Sequence, residues 1–234
     1  MKLSIVVPCY NEADNIPLIL ARFAEVITPD IELILVDNGS TDSSAAILKE
    51  LLPSFAFART VRVKVNKGYG YGILTGLKAS TGDFLGYTHA DMQTDPYDVI
   101  RAWEIIKNAD YDRHILVKGY RINRPLFDKF FTFGMGIFET LYLGRHLYEI
   151  NAQPNIFSRE FFTSWDNPPN DFSLDLYVLY LATIKKLDIR RIKVEFPERQ
   201  HGSSKWNTGL LSKWKFIKRT IDFSLKLKSR LKGE

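Results

Sequence analysis

Residues 3–12 read Leu3-Ser4-Ile5-Val6-Val7-Pro8-Cys9-Tyr10-Asn11-Glu12, an apolar run closed by proline and followed at once by polar side chains. Leu3–Val7 has the length and composition of a buried strand. Charge and helix breakers follow it directly, so it reads as a strand and not as a secretory signal. Outward from this stretch the chain repeats a strand–helix rhythm. Ile16, Leu20, Phe23 and Ile27 recur at helical spacing up to Pro29, and Ile31–Val36 is a second strand closed by Asp37-Asn38-Gly39. Ser40 or Thr41 is expected to cap a helix carrying Ala45, Leu48 and Leu52. Val61–Val65 is a third strand, followed by a glycine-rich stretch and a helix with Ile73, Leu77 and Ala79. Phe84–Tyr87 is a fourth, and Asp95-Pro96 starts another helix, with proline where its missing N–H is harmless.

Apolar runs without strict alternation suit strands covered by helices on both faces, so the fold class is α/β with a mostly parallel central sheet. Ligands of such sheets bind beyond the carboxyl ends of the strands. Four polar clusters fall there: Asn11-Glu12, Asp37-Asn38, Asn66-Lys67 and His89–Gln93. The second half is less regular. Ile115–Val117 is predicted as a strand, Lys118–Pro125 as a basic turn, and Phe127–Leu147 as an aromatic helical region containing Gly134, Gly136 and Gly144. That region is either a core helix closely packed at its glycines or an apolar wall facing a membrane. Leu174–Leu187 has helical periodicity, and Ile189–Phe196 is a strand leading to the polar loop His201–Lys205.

With 234 residues the chain can bury a full core, and one domain is expected. No stretch approaches the roughly 18 apolar residues of a membrane span. The one cysteine, Cys9, excludes an internal disulfide and a thiolate metal cluster, which fits a reducing, cytoplasmic setting. The net charge of +5 is uneven: nine basic residues from Lys205 onward face two acids, Asp222 and Glu234. Gly209–Leu231 reads as a basic amphipathic helix with Leu210, Trp214, Ile217, Ile221 and Leu225 at helical spacing. Such a helix either lies on an anionic membrane surface or docks on its own domain or on the second subunit of a homodimer. No nucleic-acid-binding motif is recognisable, so no nucleic-acid partner is expected.

The sharpest local signal is Thr88-His89-Ala90-Asp91-Met92-Gln93-Thr94-Asp95. A hard cation takes oxygen ligands and bridges phosphates; in an extended segment His89, Asp91 and Gln93 would share one side. The competing reading is an Asp in a tight turn, with Asp95 capping the next helix. Asp37 could accept from a ribose or base, or simply close a turn. Asn11 and Asp14 could equally be helix caps. Asn66-Lys67-Gly68-Tyr69-Gly70-Tyr71-Gly72 could bring backbone N–H groups to a nucleotide, without the spacing of an ATPase-type phosphate loop. Arg121, Arg124, Arg159 and the run His201-Gly202-Ser203-Ser204-Lys205 suit phosphate binding or are ordinary surface charge. Asp171 and Asp175 share a face if the helix has begun by Asp171, and a carboxylate there could act as base toward an acceptor hydroxyl.

Four segments in order carry a resemblance: Val6–Glu12, Val36–Ser43, Asn66–Gly70 and Ala90–Gln93. The sequence resembles the family 2 inverting glycosyltransferases, particularly the branch similar to dolichyl-phosphate mannose or glucose synthases and bacterial polyprenyl-phosphate glycosyltransferases. The resemblance covers the first 100 or so residues strongly and loosens toward Lys205. It implies a GT-A fold, a UDP- or GDP-sugar donor, Mg²⁺ or Mn²⁺, and a polyprenyl-phosphate or saccharide acceptor. It makes Pro8, Tyr10, Asn11, Glu12, Asp37, Lys67, Gly68, Asp91 and Lys205 the donor-binding residues. Asp91, Gln93 and His89 become the metal site, with His89 standing where an Asp is usual; an imidazole there either favours Mn²⁺ over Mg²⁺ or touches only the donor. Arg121, Arg124 and Arg159 fall to the acceptor phosphate. His201 and Ser203 or Ser204 fall either with Lys205 to the donor diphosphate or to the acceptor. Asp91, Asp171 and Asp175 are the candidate catalytic carboxylates. The expected organisation is a catalytic domain over 1–204, with a nucleotide half (1–110) and an acceptor half (111–204), and a basic helix over 205–234, in a cytoplasmic protein that is either free or peripheral on the cytoplasmic membrane face. A non-catalytic nucleotide-sugar binder or membrane-associated scaffold is the alternative.

Overall fold

The computed structural model describes residues 1–123, 126–197, 218 and 220–228. Arg124, His201, Ser203, Ser204, Lys205 and most of the expected C-terminal helix lie outside these. In order, the elements are β1 (Leu3–Cys9), α1 (Asn15–Val26), β2 (Ile31–Asn38), α2 (Ser44–Leu51) with a short 3-10 turn (Leu52–Ser54), β3 (Ala58–Val63), α3 (Tyr69–Ala79), β4 (Phe84–Tyr87) and α4 (Pro96–Asn108). The second half adds β5 (Ile115–Ile122), α5 (Leu126–Leu143), β6 (Asn155–Ser158), α6 (Arg159–Thr163), α7 (Leu174–Ile184) and β7 (Asp188–Glu195).

One seven-stranded sheet runs β3-β2-β1-β4-β6-β5-β7. Every pairing is parallel except the two made by β6. The expected α/β class with a mostly parallel sheet is what the structure has. Along β1 and β2 successive side chains alternate between two apolar layers. Leu3, Ile5, Val7, Leu33 and Leu35 join α1 and α4 around Trp103; Val6, Ile34 and Val36 join α3 and α7. Both faces are covered, which is why these strands read as unbroken apolar runs.

Several local expectations shift. The cap of α2 is Ser43, not Ser40 or Thr41, because Ser40 and Thr41 are engaged with the β1–α1 loop. Asp95 caps α4, accepting from Tyr97 N–H at 2.8 Å, as its turn reading implied. Lys118–Ile122 is not a turn but the second half of β5, hydrogen-bonded to β7 along its length. Strand β6 had no forecast; it is four residues long and polar at both ends.

In α5, Gly136 packs under the Leu147 carbonyl while Gly134 meets nothing within 4 Å. Phe133, Ile137 and Leu141 stand outward at 67%, 45% and 78% exposure. Over 132–143 the one charged side chain, Glu139, is fully buried. Its carboxylate accepts from Ser224 Oγ at 2.7 Å, and burial pushes it up to about 7. Lys228 Nζ reaches the Tyr142 carbonyl at 2.6 Å. Residues 220–228 therefore dock on α5 through Ser224 and Leu227, leaving Leu225 outward.

At the amino edge of the sheet Glu32 ties three strands together. It accepts from Ser4 Oγ (2.5 Å), Thr81 N–H (2.7 Å) and Arg59 Nε (3.2 Å). Although desolvation pulls the other way, these bonds hold its carboxyl down at about 2. A depressed carboxyl stabilises the fold above its unfolded pKa, and that stability is lost as pH falls through the folded value. Glu32→Gln is expected to cost about 1–2 kcal/mol at pH 7, a figure discounted for partial exposure. The difference from wild type in urea titrations should shrink between pH 4.5 and 2; a gap independent of pH would contradict this account.

Candidate active site

The carboxyl ends of the parallel strands and the start of antiparallel β6 meet along one edge. Two loops on the β1–β2 side are laced together. Ser40 Oγ accepts from Asn11 N–H (3.1 Å), Asn11 Oδ1 accepts from Thr41 N–H (2.8 Å), and Ser44 Oγ accepts from Glu12 N–H (3.0 Å). Asn11 takes a left-handed backbone, φ 57°, so it is a strut between loops and not a helix cap. The Glu12 side chain accepts from Asn15 Nδ2 at 2.6 Å. Asp14 precedes α1 without a capping bond.

Asp37, 2% exposed, is the penultimate residue of β2. Its Oδ1 accepts from Ser40 N–H at 2.9 Å, and its Oδ2 lies 3.2 Å from the exposed Arg62 Nε. Asn38 Nδ2 donates to the Gly68 carbonyl at 3.0 Å. A Cβ on Gly39, at φ +75°, would lie 2.5 Å from Asn66 N, so the second and third loops cross where only glycine fits. Gly68 packs directly under the Asn170 carbonyl, which also accepts from Tyr71 N–H at 2.9 Å. Lys67 Nζ sits 5.2 Å over the Tyr71 ring. The segment before α7 is thus seated on the start of α3, joining the two halves of the chain.

The β4 loop lies between them. Asp91 is 7% exposed and accepts from Gln93 N–H at 3.2 Å. Gln93 Nε2 donates to the Pro197 carbonyl at 2.9 Å, tying this loop to the chain leaving β7. Thr88 and Thr94 hydroxyls close the loop at 3.1 Å. His89 stacks on Tyr69 (6.4 Å, 28°), and Tyr69 stacks on Phe172 (4.6 Å, 8°).

Beneath this aromatic row is a buried polar group. Tyr87 Oη donates to Asp175 Oδ1 at 2.8 Å, and Asn155 Nδ2 approaches the same oxygen at 3.5 Å. Lys118, with no exposed surface, donates to Asn155 Oδ1 and to the Ala152 carbonyl, both at 2.8 Å. Burial raises the Asp175 carboxyl, opposed by Lys118, the Tyr87 bond, His89 and Arg121. Burial likewise lowers the Lys118 ammonium to about 7. Asp171 is not on the helix with Asp175: α7 begins at Leu174, and Asp171 Oδ1 accepts from Ser173 N–H at 2.8 Å in the preceding turn.

Arg121 ends β5 on this side, 2.7 Å from Glu149 and over the Phe196 ring at 5.4 Å. Arg159 is not brought to it. Because β6 runs backward, Arg159 lies at the opposite edge, donating to the Gly82 and Ser80 carbonyls at 2.8 and 2.9 Å. Sequence reasoning missed Lys118, Tyr87 and Asn155 as site residues. The one signal was a lysine directly after Ile115-Leu116-Val117.

A mostly parallel α/β sheet with acidic and amide side chains gathered along the edge where its parallel strands end defines a ligand-binding α/β protein of the doubly covered kind. Residues 4–156 match the profile of glycosyl transferase family 2, and the chain belongs to that family. It is 35% identical over 116 residues to an undecaprenyl-phosphate 4-deoxy-4-formamido-L-arabinose transferase of Sodalis glossinidius, covering 47% of this chain and 35% of that protein. The protein of the same name from Yersinia enterocolitica is 33% identical over 128 residues (51% and 38%). The aligned part thus spans little more than a third of these relatives. In fold, the chain is similar to glucosyl-3-phosphoglycerate synthase of Mycobacterium tuberculosis in complex with phosphoglyceric acid, with TM-score 0.72 and 20% identity over 96% of this chain and 79% of that one. It is also similar to a mannosyltransferase of Pyrobaculum calidifontis in complex with GDP-Man and Mn²⁺, with TM-score 0.64 and 19% identity over 86% and 58%.

The two arginines separate cleanly in a test. Arg159→Met is expected to lower stability by about 1–3 kcal/mol through its two lost carbonyl bonds, with UDP and GDP affinity unchanged by calorimetry. Loss of nucleotide affinity would contradict its place at the far edge.

Proposed function

We propose that the chain transfers a sugar from a UDP- or GDP-sugar to a polyprenyl phosphate with inversion, and that Mg²⁺ or Mn²⁺ assists. The observation that carries this reading is the gathering of Asp37, Lys67 and Asp91 along one edge, within a family 2 chain. Its curated relatives bear the name of undecaprenyl-phosphate sugar transferases. Solved neighbours of the same fold were crystallised with Mn²⁺ and UDP-glucose or GDP-Man.

Among the described residues no group of three or more His, Cys, Asp or Glu could hold an ion alone. That donor set fits a cation of the kind bound by one or two carboxylates together with substrate phosphates. Asp91 would hold it, with His89 beside it; Gln93 braces the loop through Pro197. The ion would supply charge neutralisation to the departing diphosphate. The protein's own residues do the rest. Asp37 and the Pro8–Glu12 loop, Tyr10 included, bind the nucleoside. Lys67 and Lys205 offer charge to the phosphates, and Arg121 with Arg124 meets the acceptor anion. A phosphate acceptor arrives already anionic and attacks without a base. A saccharide hydroxyl is the second reading, and Asp175 favours it: a buried carboxylate with a raised pKa suits a general base.

The acceptor reading extends to a membrane surface. The outward stripe Phe133, Ile137 and Leu141 lies beside a helix bearing Lys218, Lys226 and Lys228, a pattern suited to an anionic bilayer. No described helix is long and apolar enough to cross one.

A panel of UDP- and GDP-sugars with polyprenyl phosphate and Mn²⁺ tests the activity. Asp91→Ala should lower turnover at least about 100-fold; unchanged turnover would remove Asp91 from the mechanism. Phe133→Ser with Leu141→Ser should abolish sedimentation with phosphatidylglycerol vesicles, while wild type should not sediment with phosphatidylcholine alone. Equal binding of both proteins would refute the membrane face.

A further inference from the structure

Lys118 of β5 has no exposed surface, and a buried lysine is costly unless something requires it. Its two hydrogen bonds are specific. One goes to the Ala152 carbonyl, in the turn that precedes the cis Gln153–Pro154 bond. The other goes to Asn155 Oδ1, and that bond fixes which way the amide faces. With Oδ1 occupied by a donor, Nδ2 is the amide's donating end, and it lies 3.5 Å from both Asp175 Oδ1 and the Ala152 carbonyl. The result is a line of polar contacts running Lys118 Nζ, Asn155 amide, Asp175 Oδ1, Tyr87 Oη. Both inward contacts of Asp175 converge on Oδ1, and among the described residues no hydrogen bond is made to Oδ2.

We propose that Lys118 is a positioning residue: acting through the Asn155 amide, it orients the Asp175 carboxylate so that Oδ2 is presented to the acceptor side of the crevice. The assignment rests on glycosyl transfer to a saccharide hydroxyl for its kinetic consequence, but not for its structural one. The charges facing Lys118 are Asp175 on α7, Arg121 on its own strand, Arg191 on β7 and Glu149 in the loop before β6. Asp175 and Glu149 are the two carboxylates among them. Glu149 is already paired with Arg121 at 2.7 Å, and Arg191 is spent on the Gly119 and Tyr148 carbonyls. Asp175 is therefore the carboxylate on which the lysine's charge acts.

The test uses the whole chain and three variants, Lys118→Met, Asn155→Leu and their combination. With a working donor and a saccharide hydroxyl as acceptor, the case in which Asp175 acts as base, each single change should lower kcat about 10- to 100-fold and leave the donor KM within about threefold. The double variant should be no worse than the poorer single one, since both cut one relay. Additive losses, or full kcat in a folded Lys118→Met protein, would overturn the proposal. A second readout needs no turnover. In protein labelled with ¹³C at aspartate carboxyls, the Asp175 resonance is the one missing from Asp175→Asn. Lys118→Met or Asn155→Leu should move that resonance and shift its titration to higher pH; an unmoved resonance in either folded variant would refute the relay. If wild type transfers no sugar while the resonance moves as expected, the functional reading fails and the positioning assignment stands.

Discussion

The position of β1 between two parallel neighbours governs where every functional side chain lies. Val6 is level with Ile34 on one side and with Tyr87 on the other. Because side chains alternate along a strand, a slip of one residue would turn the whole apolar set of β1 to the opposite layer. Both layers are packed, Trp103 filling one and α3 and α7 the other, so the register is held from two directions. The loops leaving β1, β2 and β4 consequently emerge side by side, and Asn11, Asp37 and Asp91 need no flexible segment to reach one another's neighbourhood.

The reversed strand β6 accomplishes something the parallel strands cannot. A parallel strand sends only its last residues to the site edge, whereas β6 sends its first, together with the turn before it. Asn155, Ala152 and Gln153 thereby reach Lys118 and Tyr69, and the far end of the same strand carries Arg159 to the opposite edge. A single antiparallel insertion thus decides which polar side chains of the second half belong to the crevice.

Much of the first half was legible because its strands are covered on both faces and its turns carry Asn, Asp and Gly at strand ends. Asp95 as a cap followed from Pro96 behind it. The second half was less legible for identifiable reasons. Lys118 looks like surface charge because a buried lysine is rare, and its burial depends on Asn155 and Ala152, which are distant in sequence. Asn155–Ser158 is too short for a periodic signal, so the reversal that moves Arg159 away could not be anticipated. The spacing of Asp171 and Asp175 suggested one helical face, but Asp171 bonds Ser173 instead and the helix starts later.

The lacing of the 11–13 and 40–44 loops has a consequence for how such a chain can diversify. Asn11, Glu12 and Ala13 each donate a backbone N–H to a side chain of the other loop. Lengthening either loop by one residue would strand donors in both, so insertions are tolerated poorly on this side of the crevice.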